Sequence, residues 1–191
     1  MLEIVPYNPA WPLEFQRLRD SLAAALGALA LRIDHIGSTA VPGLGAKDIL
    51  DVQVTVLALA PEIVERLSAA GYVYRPDITC DHVPAGADPA PELWTKLYFT
   101  HFPGQRAAHI HVRAAGRPNQ LYPLLFRDYL RAHPRSTATV ERIKRALVQY
   151  HADDVEAYYD IKDPVYDLIW EAAREWAETT GWESAGDILE P

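Results

Sequence analysis

The sequence contains a single cysteine, Cys80, among its 191 residues. One cysteine excludes an internal disulfide and a zinc knuckle built from cysteines, so we expect no thiol redox chemistry. Long apolar runs are also missing. The longest, near residues 22–31, is short and rich in alanine, whereas a membrane helix needs about 20 apolar residues. The first residues lack a basic segment followed by an apolar one, so the sequence predicts no secretion signal and a cytoplasmic location.

The Gly-x-x-x-x-Gly-Lys-Ser/Thr loop of P-loop kinases is absent too, and a net charge of -8 argues against general nucleic-acid binding. Positive charge is nevertheless concentrated in residues 96–145, which contain ten Lys or Arg and only two acids, Asp128 and Glu141. If this basic block lies on one face, it predicts a site for a small polyanion such as a nucleotide. A solvated helix face is the other interpretation.

Apolar residues are plentiful: they make up 49% of the chain, which has five Trp and ten Tyr. This is enough apolar surface for a well-buried core, and the length favours one domain over residues 1–191. Hydrophobic periodicity and Gly/Pro punctuation predict helices over residues 11–30, 62–70, 121–132, 137–151 and 164–180, and strands over residues 31–36, 48–56, 72–75, 93–102 and 109–114. The pattern indicates an α+β domain, a β-sheet flanked by helices with a helical C-terminal third.

The loop between the first two strands contains Gly37-Ser38-Thr39. A glycine at a strand end lets the backbone approach a ligand closely, and the hydroxyls and N–H groups of Ser38 and Thr39 suit phosphate oxygens. The loop is therefore a candidate phosphate site. An ordinary turn with a serine cap is the alternative.

On the following strand, alternation places Lys47, Asp51 and Gln53 on one face. A carboxylate in the middle of an apolar strand is costly to bury without a partner. For Asp51 that partner is predicted to be a divalent cation, Mg²⁺ or Mn²⁺, shared with substrate phosphates. A buried pair with Lys47 or an arginine is the alternative.

The strand at residues 109–114 carries His109, His111 and Arg113 on one face, alternating with apolar residues. Three polar groups on one face predict a site that binds phosphate, transfers protons or, together with Asp51, binds a metal. An exposed sheet face is the alternative. Lys96 and Arg127 are candidates to add charge to the same pocket, although a helical arginine is more often a surface group or an ion-pair partner.

Several motifs together resemble the GrpB-like proteins of the nucleotidyltransferase superfamily. They are His-Ile-Gly-Ser-Thr-Ala-Val-Pro-Gly-Leu at residues 35–44, Tyr-Asn-Pro-Ala-Trp at 7–11, His-Ile-His-Val-Arg at 109–113, Leu-Phe-Arg-Asp-Tyr-Leu at 125–130, and Tyr158 with Lys162. The run from Lys47 to Gln53 is most similar to the version fused behind actinobacterial dephospho-CoA kinases. The resemblance covers nearly the whole chain and implies a nucleotidyltransferase-like mixed sheet.

The resemblance also implies roles for individual residues. Gly37 and Ser38 would hold phosphate, Asp51 would be the first metal-binding carboxylate, and Lys162 would reach the phosphate site or lie on the surface. The sequence departs from the superfamily pattern at Gln53, where a second carboxylate is expected. Glutamine is a neutral, weak ligand for Mg²⁺. Histidines replace the third carboxylate on the later strand.

These observations predict a nucleotide-binding protein that transfers a phosphoryl or nucleotidyl group with the help of a divalent cation. The alternative is a non-catalytic nucleotide- or CoA-related module that assists a partner protein. The predicted catalytic residues are Asp51, His109 and His111, and the predicted metal ligands are these three and Gln53. The predicted substrate-binding residues are Gly37, Ser38, Thr39, Lys47, Lys96, Arg113, Arg127 and Lys162.

Overall fold

A computed structural model describes residues 2–184. Five strands form one sheet: β1 (Ala30–Ile36), β2 (Leu50–Val56), β3 (Val73–Tyr74), β4 (Leu97–Thr100) and β5 (Ala108–Ala114). Their order across the sheet is β1-β2-β5-β4-β3. The central pair, β2 and β5, is parallel, and every other neighbouring pair is antiparallel. The sheet is therefore mixed.

Within residues 2–184 the α-helices are α1 (Trp11–Leu26), α2 (Pro61–Ala69), α3 (Pro91–Trp94), α4 (Pro118–Ala132), α5 (Pro134–His151) and α6 (Val155–Thr180). This arrangement confirms the predicted α+β fold with a helical C-terminal third. None of these helices is long and apolar enough to cross a membrane.

The two faces of the sheet differ in chemistry because side chains alternate along each strand. One face is apolar, and its fully buried Val52, Val54, Ile110 and Val112 join a core that includes Leu22 of α1 and Ile63 of α2. The opposite face is polar. Here the parallel register pairs Asp51 with His109 and Gln53 with His111. Alternation had predicted a shared face within each strand, and the register adds the pairing between the two strands. The candidate site residues of both central strands therefore share one face.

The predicted strand over residues 93–102 was wrong in its first half. Residues Pro91–Trp94 form the short helix α3, and β4 begins only at Leu97. Proline fits the first turn of a helix because its missing N–H is not needed there. The indole of the buried Trp94 donates a hydrogen bond to the carbonyl of Asp88 at 2.7 Å, which holds the turn in place.

The boundaries of several predicted helices also changed, and α4 and α5 each begin three residues before their predicted starts at 121 and 137. Helix α1 ends at Leu26, and Gly27 follows with a positive φ of 55°. Helix α6 begins at Val155, nine residues before the predicted start at Pro164. The Asp154 side chain accepts a hydrogen bond from the backbone N–H of Ala157 at 2.9 Å, which caps the true start. Pro164 lies inside the helix, so proline position alone was misleading.

Candidate functional site

A pocket of about 650 Å³ lies over the polar face of β2 and β5. This volume is within the range of small-molecule sites, about 300–1,000 Å³. Side chains from the sheet, the Ser38 turn, α5 and α6 form its walls. Ammonium groups outnumber carboxylates four to two among the charged lining residues, which are Lys47, Lys96, Lys144, Lys162, Asp51 and Asp163. The imbalance favours an anionic ligand.

Asp51 and two histidines form the floor of the pocket. The Asp51 Oδ1 atom lies 3.3 Å from Nδ1 of His109 and 3.9 Å from Nε2 of His111. Burial acts to raise the pKa of Asp51, but the two facing imidazoles outweigh it and hold this pKa well below its usual range. Burial and the charge of Arg113 lower the pKa of His111 to about 4. Asp51 is thus a carboxylate and His111 a neutral imidazole at pH 7.

The loop that begins at Gly37 lies directly against this carboxylate. Gly37 has a positive φ of 68°, and a Cβ atom there would collide with the carboxylate of Asp51. The next residues form a 3₁₀ turn, Ser38–Ala40, in which the Thr39 hydroxyl lies 2.9 Å from Nε2 of His35. The His35 ring is buried and stacks on Phe15 with the ring centroids 4.8 Å apart. Ser38 and Thr39 line the pocket, whereas Gly37 provides the space for Asp51.

Two of the four lysines are embedded among tyrosines of α6. Lys47 Nζ lies 4.6 Å from the ring centroid of Tyr158 and 3.3 Å from the hydroxyl of Tyr159. Lys162 Nζ lies 4.0 Å from the ring centroid of Tyr166 and 3.0 Å from Asp163 Oδ1. Distances below about 6 Å permit cation–π attraction. The Lys47 contacts connect the segment before β2 to the first half of α6, whereas the Lys162 contacts lie within α6.

Lys144 is the most deeply buried of the four. Its residue exposure is 4%, and its Nζ donates a hydrogen bond to the carbonyl of Gly45 at 2.7 Å. No carboxylate in the described part of the chain forms an ion pair with it. Burial, and then the positive charge of Lys162, lower the pKa of Lys144 to about 7. An anionic ligand would therefore favour its charged form.

Besides Gly37, three predicted site residues do not line this pocket. Gln53 is fully buried: its Oε1 accepts a hydrogen bond from Arg113 Nη1 at 2.8 Å, and its Nε2 donates to the carbonyl of Gln120 at 2.9 Å. Arg113 is also buried and binds Asp81 through two N–H groups. Arg127 donates to Asp128 and to the carbonyl of His35. Arg127 is therefore an ion-pair partner, which was the alternative given for this helical arginine.

The predicted ligands do not fit a divalent cation. Both ends of the Gln53 amide are already hydrogen-bonded, so Gln53 cannot coordinate a metal without losing them. Among the described residues, no group of three or more His, Cys, Asp or Glu side chains could hold a metal ion. Asp51 is the only predicted oxygen ligand that lines the pocket, and four lysine side chains line the same pocket. Mg²⁺ prefers several oxygen ligands in an octahedron.

The basic block of residues 96–145 does not form one charged face. Of its ten bases only Lys96 and Lys144 line the pocket. Arg106, for example, pairs with Glu14 and Asp48. Sequence reasoning had not singled out Lys144 as a site residue. Its signal was present, because Val140, Lys144 and Leu147 recur at helical spacing and form the buried stripe of α5 together with Thr137. Lysine is almost never fully buried unless its charge is paired, so a lysine within such a stripe indicates an unusual position.

Two further groups of residues in and next to the pocket could not be placed from local spacing in the sequence. Asp81 lies in an irregular segment, yet it binds both Lys96 and Arg113. Besides Lys162, α6 contributes four residues to the pocket, and these reach it only through tertiary packing. They are Tyr158, Tyr159, Asp163 and Tyr166.

The fold is thus a mixed sheet with a lysine-lined pocket on its polar face. The chain belongs to the GrpB family, since the family model described as GrpB protein matches residues 1–172. The crystal structure of the conserved protein GrpB from Enterococcus faecalis is similar to this chain, with a TM-score of 0.73 and 29% identity over 91% of this chain and 99% of that one.

A curated relative is the dephospho-CoA kinase of Mycolicibacterium paratuberculosis, which is 39% identical over 198 residues. The match covers 95% of this chain but 48% of the relative, so the chain spans about half the length of that protein. The Cid1 poly(U) polymerase structure matches with a TM-score of 0.49 and 15% identity over 76% of this chain and 43% of that one. That likeness is too weak to assign a reaction.

Proposed function

We propose that this protein binds a nucleotide, or a nucleotide-containing molecule such as dephospho-CoA, through its phosphates and transfers a phosphoryl or nucleotidyl group to an acceptor. The observation that supports this most is the convergence of four lysine side chains on one pocket above the polar face of the sheet. The name of the mycobacterial relative, dephospho-CoA kinase, is the reason for including CoA compounds.

The lysines supply the positive charge that phosphoryl transfer requires. Charge on the phosphate oxygens grows or shifts in the transition state, and preformed cations stabilise it. Lys144 and Lys47 suit this role because their hydrogen-bond partners are a carbonyl and a phenol, which do not neutralise them. The carboxylates of Asp81 and Asp163 already pair with Lys96 and Lys162.

The Asp51–His109 pair provides a base for the acceptor. With Nδ1 of His109 directed at the carboxylate of Asp51, the proton of the neutral ring belongs on Nδ1 and the lone pair on Nε2. His109 lines the pocket and would take the proton of an acceptor hydroxyl through Nε2. Asp51 would stabilise the imidazolium that forms.

Thermal shift with inorganic triphosphate, nucleoside triphosphates, CoA and dephospho-CoA tests binding, each with Mg²⁺, with Mn²⁺ and with EDTA. A ligand at about 100 times its Kd should stabilise the protein by about 2.7 kcal/mol. We expect a shift that persists in EDTA and is lost in Lys144→Met. Arg142→Met is the matched control, because Arg142 is an exposed base on the same helix outside the pocket. Equal losses in both variants would refute the lysine site.

Asp51→Asn separates a metal bridge from direct binding by lysines. If a cation joins Asp51 to the phosphates, the variant should bind triphosphate more weakly. If the lysines bind the phosphates directly, loss of a negative charge should leave the affinity unchanged or increase it. We expect the second result, together with loss of transfer activity.

The second candidate function is a binding module without turnover that assists a partner protein. Gln53, which stands where the superfamily pattern implied a second carboxylate, is the observation that favours it. Product formation separates the two functions, because a binding module would show the same thermal shift and no transfer to water or to any added acceptor.

A further inference from the structure

A largely buried polar network centred on Asp81 adjoins the pocket, which its member Lys96 lines. The two carboxylate oxygens of Asp81 accept hydrogen bonds from Arg113 Nε at 2.8 Å and Nη2 at 2.7 Å, and from Lys96 Nζ at 2.7 Å. The Asn119 amide adds a fourth at 3.1 Å. Arg113 and Lys96 are only 5% and 7% exposed, so these geometries are held by packing as well as by charge.

The two cations of this network meet at one atom of His111. Arg113 Nη2 lies 3.1 Å and Lys96 Nζ 3.4 Å from His111 Nδ1. Guanidinium and ammonium groups can only donate hydrogen bonds, so Nδ1 must be the acceptor and cannot carry a proton. The single proton of the neutral ring is therefore on Nε2.

The protonated nitrogen is on the pocket side of the ring. His111 lines the pocket, and its Nε2 lies 3.9 Å from Asp51 Oδ1, which is beyond hydrogen-bond distance. The rings of Tyr98 and His111 pack edge to face with their centroids 5.0 Å apart, and this contact restricts rotation of the His111 ring. An Nε2 atom that carries a proton has no lone pair for a metal ion or for a substrate proton.

We propose that Asp81, through Arg113 and Lys96, positions His111 as a permanent Nε2–H donor to a phosphate oxygen of the bound ligand. Asp81 and Arg113 are then positioning residues, and His111 is a binding residue that neither ligates metal nor acts as a base. This inference rests on the proposed function for the identity of the ligand, but the tautomer does not depend on it. It also leaves His109 as the imidazole available for proton transfer.

The tautomer can be measured directly in the ¹⁵N-labelled full chain. Long-range ¹H–¹⁵N correlation spectra at pH 7.5 distinguish a protonated from an unprotonated ring nitrogen, and the spectrum of His111→Gln identifies the signals of His111. We expect a protonated Nε2 and an unprotonated Nδ1. A proton on Nδ1, or signals averaged between the two forms, would overturn the proposal.

Arg113→Met tests the positioning role, because methionine fills similar space without any N–H group. Both tautomers of His111 should then become populated in the spectrum. Arg75→Met is the matched control, since Arg75 belongs to an exposed pair with Asp77 and should leave the His111 signals unchanged. An Arg113→Met protein that folds and retains the wild-type tautomer would contradict the positioning role of Arg113, because Lys96 alone would then fix the tautomer. If this variant fails to fold, the wild-type spectrum still decides on the tautomer.

Titration of the wild-type protein with sodium triphosphate in EDTA tests the role of the donor. We expect the Nε2 and Hε2 signals of His111 to shift while Nε2 stays protonated. Triphosphate that stabilises the protein without moving these signals would refute the donor role and leave the lysine pocket intact. If triphosphate does not bind at all, the proposed function fails and the donor role fails with it, whereas the free-protein spectrum still reports whether the tautomer is fixed.

Discussion

Asp51 and His109 face each other across the two parallel strands at the centre of the sheet, with Oδ1 and Nδ1 3.3 Å apart. Their contact is a consequence of strand register, because the parallel ladder pairs these two residues and directs both side chains to the polar face. A slip of one residue would turn either side chain toward the apolar core. The same hydrophobic pattern that folds the sheet therefore assembles this pair.

Gly37→Ala should destabilise the protein and disturb the Asp51 carboxylate. An alanine there would adopt an unfavourable positive φ and would also collide with the side chain of Asp51. The strain alone costs about 1–3 kcal/mol. Gly43→Ala is the control, because Gly43 also has a positive φ but has no atom within 4 Å of an added Cβ. Urea denaturation should show the larger loss for Gly37→Ala; equal losses would contradict the collision.

Lys144 should make stability depend on pH above neutrality. Its pKa falls from an ordinary 10.5 to about 7 on folding. Between these pH values the unfolded chain binds more protons than the folded one, so the free energy of unfolding should rise with pH, by at most about 1.4 kcal/mol per pH unit. Denaturation of wild type and Lys144→Met at pH 7, 8 and 9 measures this term, which the variant should lack. Parallel pH profiles would show that Lys144 stays protonated.

Gln53→Glu should not create a metal site. The introduced carboxylate would remain in the buried position of Gln53 and would face the carbonyl of Gln120, which now accepts a hydrogen bond. Loss of that donor should cost about 1–3 kcal/mol. We expect a lower melting temperature and no added response to Mg²⁺. Stabilisation by Mg²⁺ in this variant, but not in Gln53→Met, would show that position 53 can reach a metal after all.

Asp81→Asn should destabilise the protein by about 3–5 kcal/mol at pH 7, because it removes the carboxylate shared by two buried cations. Burial acts to raise the pKa of Asp81, but Arg113 and Lys96 hold it well below its usual range. The contribution of Asp81 is thus present above about pH 4 and declines as the pH falls through the folded-state pKa.

Urea denaturation at pH 7 and pH 3 measures this difference between wild type and Asp81→Asn. Asp77→Asn serves as the control, since Asp77 forms an exposed pair with Arg75, and its effect should be much smaller. A gap between wild type and Asp81→Asn that grows toward pH 3 would have the wrong sign for a depressed carboxyl pKa.

Much of the fold and part of the site could be predicted from local patterns. The period-two alternation placed Asp51 on one face of β2 and His109 and His111 together on one face of β5, and the parallel register shows that these are the same face of the sheet. Predictions were wrong where one sequence signal is compatible with two structures. Proline marks both a helix start and an internal helix position, so the beginning of α6 was misplaced at Pro164.

The sequence by itself determined the mixed α+β class, the GrpB resemblance and the polar stripe on the central strands, because these depend on residue type and near-neighbour spacing. Only the tertiary structure decided which polar groups face the pocket. Gln53 and Arg113 turned out to bind buried partners, while Lys144 joined the pocket from a helix about 90 residues further along the chain than β2. Such choices depend on contacts between distant segments and on the cost of burying each charge, which local spacing does not encode.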